Sequence, residues 1–200
     1  MKRPAAFLAD PPSDDPSVTA AYEADVTSDG YVNNLTRVWC WRPDVLTSFQ
    51  NLRAELAADS SLSTREVAVM VAATAAARGD AYCSLAWGAR LAELSDEETA
   101  ATVLRGGDAN LSDREAALAR WSRQVVLDPN ATSQADIDRL RQAGFSDREI
   151  FEATTFIAFR TAFSTVNDAL GAWPDQELVE KVPPLVREAV TYGRIPQPDA

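Results

Sequence analysis

The stretch DAYCSLAWGARL, residues 80–91, concentrates the side chains best suited to chemistry. Asp80 is a natural N-cap, which places Ala81, Tyr82 and Cys83 in the first turn of the helix that follows. A thiol at that position lies beside the unsatisfied amides of the helix start, whose partial positive charge favours the thiolate. Asp80 acts in the opposite direction, because a carboxylate within one turn disfavours a second negative charge. Positions 80, 83 and 87 share a helix face, so Asp80, Cys83 and Trp87 can line one site. The same three residues also have a plain reading as a cap, a small buried residue and a core aromatic.

The rest of the chemical inventory is narrow. Histidine is absent from the 200 residues. That removes Ser-His and Cys-His pairs, His-ligated zinc and any imidazole acting as a base near neutral pH. Proton transfer falls to carboxylates, tyrosines, a thiol, lysine or water. Glu66 is either such a base or the reciprocal partner of Ser63 in a capping box. Tyr82 offers a proton or a hydrogen bond, or simply packs. Arg160 interrupts an apolar helix, and a buried guanidinium requires a carboxylate partner or an anionic ligand, unless it is exposed at a subunit interface. Asn167 and Asp168, near the end of that helix, read as surface or interface residues. The second cysteine, Cys40, sits between Trp39 and Trp41 and reads as core. Two cysteines are too few for a disulfide scaffold.

These residues need elements to hold them, and the pattern is helical nearly throughout. Helices are predicted at about 16–26, 43–58, 64–78, 81–93, 96–105, 113–126, 133–143, 147–170 and 175–192. Serine at 63, 95, 112 and 146, each followed three residues later by glutamate, opens four of them with capping boxes. Residues 67–77, VAVMVAATAAA, are apolar or small on every face, and 150–163 carry five large apolar side chains besides Phe151, so both helices read as buried. No alternating strand run is visible, and the fold class is all-α. One domain over 17–193 is expected, with a flexible arm at 1–16 and a tail at 194–200. The formal charge of −11 disfavours nucleic-acid partners. No apolar run approaches the ~20 residues needed to span a bilayer, and no signal peptide is visible, so a soluble cytoplasmic protein is expected.

Residues 79–91, GDAYCSLAWGARL, resemble the signature of the alkylhydroperoxidase D-like, or carboxymuconolactone decarboxylase-like, family. In its redox members the signature is Cys-x-x-Cys-x-x-x-His at a helix start. Residues 31–52 and 136–171 are similar to the family's lead-in and to its later Gly-Phe-Ser-Asp helix. The resemblance implies an alkylhydroperoxidase D-like helical bundle that assembles as a homo-oligomer, acts on a small-molecule substrate and needs no cofactor or metal. It also implies that Cys83 matches the peroxide-reactive cysteine, that Asp80 replaces the resolving cysteine and that Trp87 replaces the relay histidine. Glu66 lies in the helix where the relay glutamate is expected.

Three functions follow from that resemblance. In the first, a peroxidase-type oxidoreductase uses Cys83 with an external thiol, Tyr82, Trp87 and Arg160 facing the substrate. In the second, a lyase or isomerase takes Asp80 or Glu66 as base, and Arg160 holds the carboxylate of a small organic acid. In the third, a member that has lost catalysis serves as a binding or structural oligomer, with Trp87 filling the old pocket. Without a cysteine at 80 no local disulfide forms, and Cys40 resolves Cys83 only if the fold brings them together.

Overall fold

The computed structural model describes residues 5–12 and 14–195. In chain order the helices are α1 (Pro16–Asp29), α2 (Asn34–Trp39), α3 (Pro43–Ala58), α4 (Thr64–Arg78), α5 (Ala81–Leu94), α6 (Glu97–Leu104), α7 (Asp113–Leu127), α8 (Gln134–Gln142), α9 (Asp147–Ala169), α10 (Gln176–Lys181) and α11 (Pro184–Ala189). A single 3-10 turn, Pro129–Ala131, separates α7 from α8. No strand occurs among the described residues, and the class is all-α. Among them, too, no helix is long and apolar enough to cross a membrane.

Local chemistry explains most boundaries. Ser63, Ser112 and Ser146 each accept from the amide of the glutamate three residues on, and that glutamate reaches back to the serine amide. The box expected at Ser95 does not form. Asp96 is the N-cap instead, accepting from the Thr99 N–H at 2.7 Å, while the Ser95 hydroxyl donates back to the Leu91 carbonyl. Two further differences concern elements. α2 was not expected, and the helix predicted over 175–192 is two short ones. The break falls at Val182-Pro183-Pro184, where the following proline holds Val182 extended (φ −70°, ψ 130°) and its ring nitrogen has no proton to donate.

α4 is the axis of the core. Ala68, Val69, Ala72 and Ala73 face one apolar cluster with α5, α6 and α11, whereas Met70 and Val71 face a second with α7, α8 and α9. Side chains no larger than valine and methionine let helices approach α4 from both sides. Trp87 of α5 is partly buried and packs against both clusters and against a third one around Cys83. Gly88, its neighbour, is where α5 meets α6 and α11: a Cβ there would stand 2.6 Å from Val186 Cγ1 and 2.8 Å from Leu104 Cδ1.

Much of the segment expected to be an arm lies on the bundle. The Phe7 N–H donates to the Leu170 carbonyl (2.9 Å), the Trp173 N–H to the Ala5 carbonyl (3.0 Å), and the Trp41 indole to the Ala9 carbonyl (3.0 Å). Ala6 is buried beside Val38 and Ala172. Residues 1–4 and 13 of that segment, and 196–200 of the expected tail, lie outside the described residues.

Because the collision at Gly88 is with side chains packed from two elements, a branched residue there overpacks the core. Gly88→Val is expected to lower unfolding stability by about 2 kcal/mol, read as a reduced denaturation midpoint with an unchanged slope against denaturant.

Candidate active site

Gly79 ends α4 in the left-handed conformation (φ 71°), and Asp80 follows as the N-cap of α5 (φ −81°, ψ 101°). This two-residue turn folds α5 back along α4 and points the first turn of α5 into the bundle. Asp80 Oδ1 accepts from the Cys83 N–H at 2.9 Å, whereas the buried Oδ2 has no partner. From outside, residues 190–195 close over the turn. A Cβ at Gly193 would come within 2.5 Å of the Gly79 carbonyl oxygen, and the Tyr192 hydroxyl donates to Ser84 Oγ at 3.0 Å.

Cys83 is buried and faces α9. Arg160 Nη2 donates to Cys83 Sγ at 3.1 Å, and the Ser164 hydroxyl, one turn further along α9, lies 3.9 Å from the same sulfur. The Arg160 guanidinium carbon sits 5.6 Å from the centre of the Trp87 ring and 5.2 Å from that of Phe163. Phe163 stacks on Trp39 with centroids 5.0 Å apart, and Phe49 of α3 completes the group, 5.5 Å from Phe163 and 5.6 Å from Trp39. The Trp39 indole donates to Asn167 Oδ1 at 2.8 Å, which fixes the outer end of this aromatic wall. The site is therefore a thiol and a guanidinium enclosed by flat apolar rings.

Burial decides the state of the thiol. Desolvation pushes Cys83 up to about 12; the Arg160 charge pulls the other way and Asp80 adds to the rise. The helix-start amides that favour a thiolate do not prevail, and at neutral pH the resting sulfur carries its proton. Arg160 is in turn unusual. It is 4% exposed, no ion pair among the described residues includes it, and its Nε is buried without a hydrogen-bond partner.

The structure brings together Asp80, Cys83, Trp87 and Arg160. It sends the other two candidates elsewhere. Glu66 lies in the first turn of α4, some 20 Å along that helix from Asp80 at ~1.5 Å per residue. Its carboxylate is taken by the Ser63 amide (2.7 Å) and by Arg114 Nε (2.5 Å), and the same arginine reaches Glu149, so the proton-relay role has no geometry. Tyr82, one residue before Cys83, points about 100° around α5 from it. Its hydroxyl donates to Asp175 Oδ2, whose other oxygen accepts from the Asn34 N–H at 2.9 Å. That is a clasp joining α5 to the starts of α2 and α10, not a substrate contact. Cys40 is free and buried beside Val18 and Leu46, in a cluster separate from that of Cys83.

Sequence reading missed Trp39, Phe49, Phe163, Ser164 and Asn167. Asn167 is buried within the chain, where a surface or interface residue was expected. Arg160, Phe163, Ser164 and Asn167 recur at three and four residues along α9, the one signal that placed them on a common face. Asp168 is half-buried and raised to about 6, by desolvation first and by the Asp80 charge second.

No family model matches the chain, and no curated protein matches it. Solved structures do. A peroxidase-related protein from Silicibacter sp. TM1040 superposes with a TM-score of 0.78 at 23% identity, over 89% of this chain and 97% of that one. The alkylhydroperoxidase AhpD core, a peroxidase-related protein from Ralstonia eutropha JMP134, gives 0.78 at 22% identity, over 98% and 100%. The debrominase Bmp8 gives 0.71 at 15% identity, over 95% and 99%, and a cysteine-to-alanine variant of it was solved in complex with 2,3,4-tribromopyrrole. The chain has the alkylhydroperoxidase AhpD-like fold.

Two measurements follow from the electrostatics. Alkylation of Cys83 in the native protein is expected to quicken with pH up to pH 10 without a plateau, since the thiol titrates near 12. Arg160→Met, which removes the opposing charge, should slow it by roughly tenfold at pH 9; a plateau near pH 8 contradicts this. Burial raises Asp175 to about 6, against the hydrogen bonds it accepts from Tyr82 and Asn34. The folded state then holds a proton that the unfolded chain has released, so stability falls as pH rises from about 4 to 6 and is level above. Asp175→Asn is expected to remove part of that fall, improving at pH 7 relative to pH 4 by about 2 kcal/mol in denaturant titrations.

Proposed function

We propose that the protein is a thiol-based peroxidase in which Cys83 is the reacting group and an external thiol is the reductant. The supporting observation is the 3.1 Å contact from Arg160 Nη2 to Cys83 Sγ inside a buried aromatic enclosure. In the reaction, Sγ attacks the nearer peroxide oxygen and the O–O bond breaks. The thiol proton passes to the departing oxygen, with the Ser164 hydroxyl placed to relay it. The products are a sulfenic acid on Cys83 and an alcohol. Two equivalents of external thiol then return the sulfenic acid to the thiol, releasing a disulfide and water. Asp80 supplies no second sulfur and Cys40 stands in another cluster, which is why the reductant is external. Arg160 stabilises the negative charge that appears on sulfur as its proton leaves, before attack passes that charge to the departing oxygen.

This reading takes the protein as a homo-oligomer, supported by the apolar side chains Val45 and Leu52 of α3 and Phe151 of α9, all exposed in the single chain. The likeness to a debrominase supports a second reading. Sulfur would take the halogen from an electron-rich ring while the ring carbon takes the thiol proton; one external thiol would then displace halide as a mixed disulfide, and a second would free Cys83 and release a disulfide.

In a coupled assay with dithiothreitol, Cys83→Ser is expected to lower hydroperoxide consumption at least about 100-fold. Mass spectrometry of the peroxide-treated native protein should find oxygen on Cys83. Wild-type consumption by the variant, or a Cys83 untouched by peroxide, would falsify the reading. Bromide release from a bromopyrrole in place of peroxide turnover favours the second.

A further inference from the structure

Arg160 has more capacity to bind charge than Cys83 uses. A buried guanidinium with a free Nε is stabilised by an anion that fits its fork, and a thiol held neutral by burial supplies no such charge. A second cation stands nearby. Arg53 lies one turn beyond Phe49 on α3, on the face from which Phe49 meets Phe159 and Phe163 of α9. It is exposed, and no ion pair among the described residues includes it. Its guanidinium is held below the ordinary arginine value by desolvation and then by the charge of Arg160, while Cys83 acts in the opposite sense. Two guanidinium groups therefore stand along the α3–α9 contact beside one thiol, and among the described residues neither is in an ion pair. An anion placed there relieves their mutual repulsion.

The walls restrict which anion. Trp87 and Phe163 flank Arg160, and Phe49 and Trp39 continue the surface toward Arg53. An inorganic anion uses the charges and leaves the rings unused. A neutral peroxide uses the rings and leaves the charges unsatisfied. A flat ring bearing a carboxylate uses both, by stacking and by a charge-assisted fork.

Resting on the peroxidase reading for its chemistry, we infer that the Cys83 site selects aromatic carboxylates, and among peroxides those that carry such a carboxylate, with the anion held between Arg53 at the exposed end and Arg160 at the buried end. Arg53 is thereby a specificity-determining residue, and the ring lies along Phe49, Trp39 and Phe163, beside the sulfur.

The test is binding to the full chain, followed by tryptophan fluorescence and by protection of Cys83 from alkylation, with benzoate, benzamide and inorganic phosphate as probes. Benzoate is expected to bind about tenfold more tightly than either of the others. Arg53→Gln should weaken benzoate about tenfold and leave benzamide unaffected, and Arg53→Lys should restore part of the loss. An unchanged melting temperature shows that the exposed substitution leaves the fold intact. Equal affinity for benzoate and benzamide, phosphate binding as tightly as benzoate, or Arg53→Gln binding benzoate like wild type each overturns the inference. These arms need no turnover. Binding of benzoate through Arg53 with every hydroperoxide left intact supports the inference and sinks the peroxidase reading alone. Consumption of cumene hydroperoxide with no lower KM for its para-carboxylated counterpart sinks the inference alone.

Discussion

A guanidinium buried against a sulfur sets the terms for the rest of this molecule. Taking Arg160 out of water costs several kcal/mol unless its charge and its donors are matched. The chain matches them in part, with Cys83 Sγ on one nitrogen and the faces of Trp87 and Phe163 beside the delocalised cation. None of these partners is a carboxylate. The enclosure keeps the thiol protonated, so the arginine lacks the counter-charge that a thiolate would supply. Such a pair is poised, because a small change in hydration or the arrival of an anion alters both groups together.

The fold supports this pair by making its surroundings rigid. α4 lies between two apolar clusters, and the Gly79-Asp80 turn delivers α5 directly from its end, so the first turn of α5 has little freedom. Trp87 touches all three clusters around it and couples the position of Arg160 to the packing of α4. Ion pairs at the far end of α4, where Arg114 joins Glu66 to Glu149, tie the starts of α4, α7 and α9 together. That network fixes the direction in which α9 runs, and so where Arg160 meets Cys83.

The sequence carried the helices well because their signals are local. Capping serines, punctuating glycines and apolar periodicity act within four residues of where they are read, as at Ser63, Ser112 and Ser146. The exceptions are local signals with two solutions. Asp96 competed with Ser95 for the same cap, and Pro183 divided a periodic stretch. The site was legible at Asp80, Cys83 and Trp87 on one helix, and beyond that helix at Arg160, a charge interrupting an apolar run. Its other half comes from α2, α3 and α9, more than 30 residues away in either direction, and nothing in the types of Trp39, Phe49 or Ser164 announces that they meet the thiol. Glu66 and Tyr82 illustrate the converse. Each is a proton-bearing group near the signature, and each is committed to a structural bond that sequence order conceals.

The two departures from the dithiol-plus-histidine pattern that the sequence resemblance implies are consistent with one another in physical terms. A second cysteine at 80 would serve as a resolving thiol; Asp80 instead caps α5 and leaves one buried oxygen unpaired beside the turn. A histidine at 87 would exchange protons with the sulfur; Trp87 cannot, but its ring provides a face for a cation. With both replaced, the side chains that contact the sulfur come from α9, and in the proposed peroxidase chemistry Ser164 relays the proton and Arg160 stabilises charge. An arginine does not release its proton at accessible pH, so it stabilises charge without titrating.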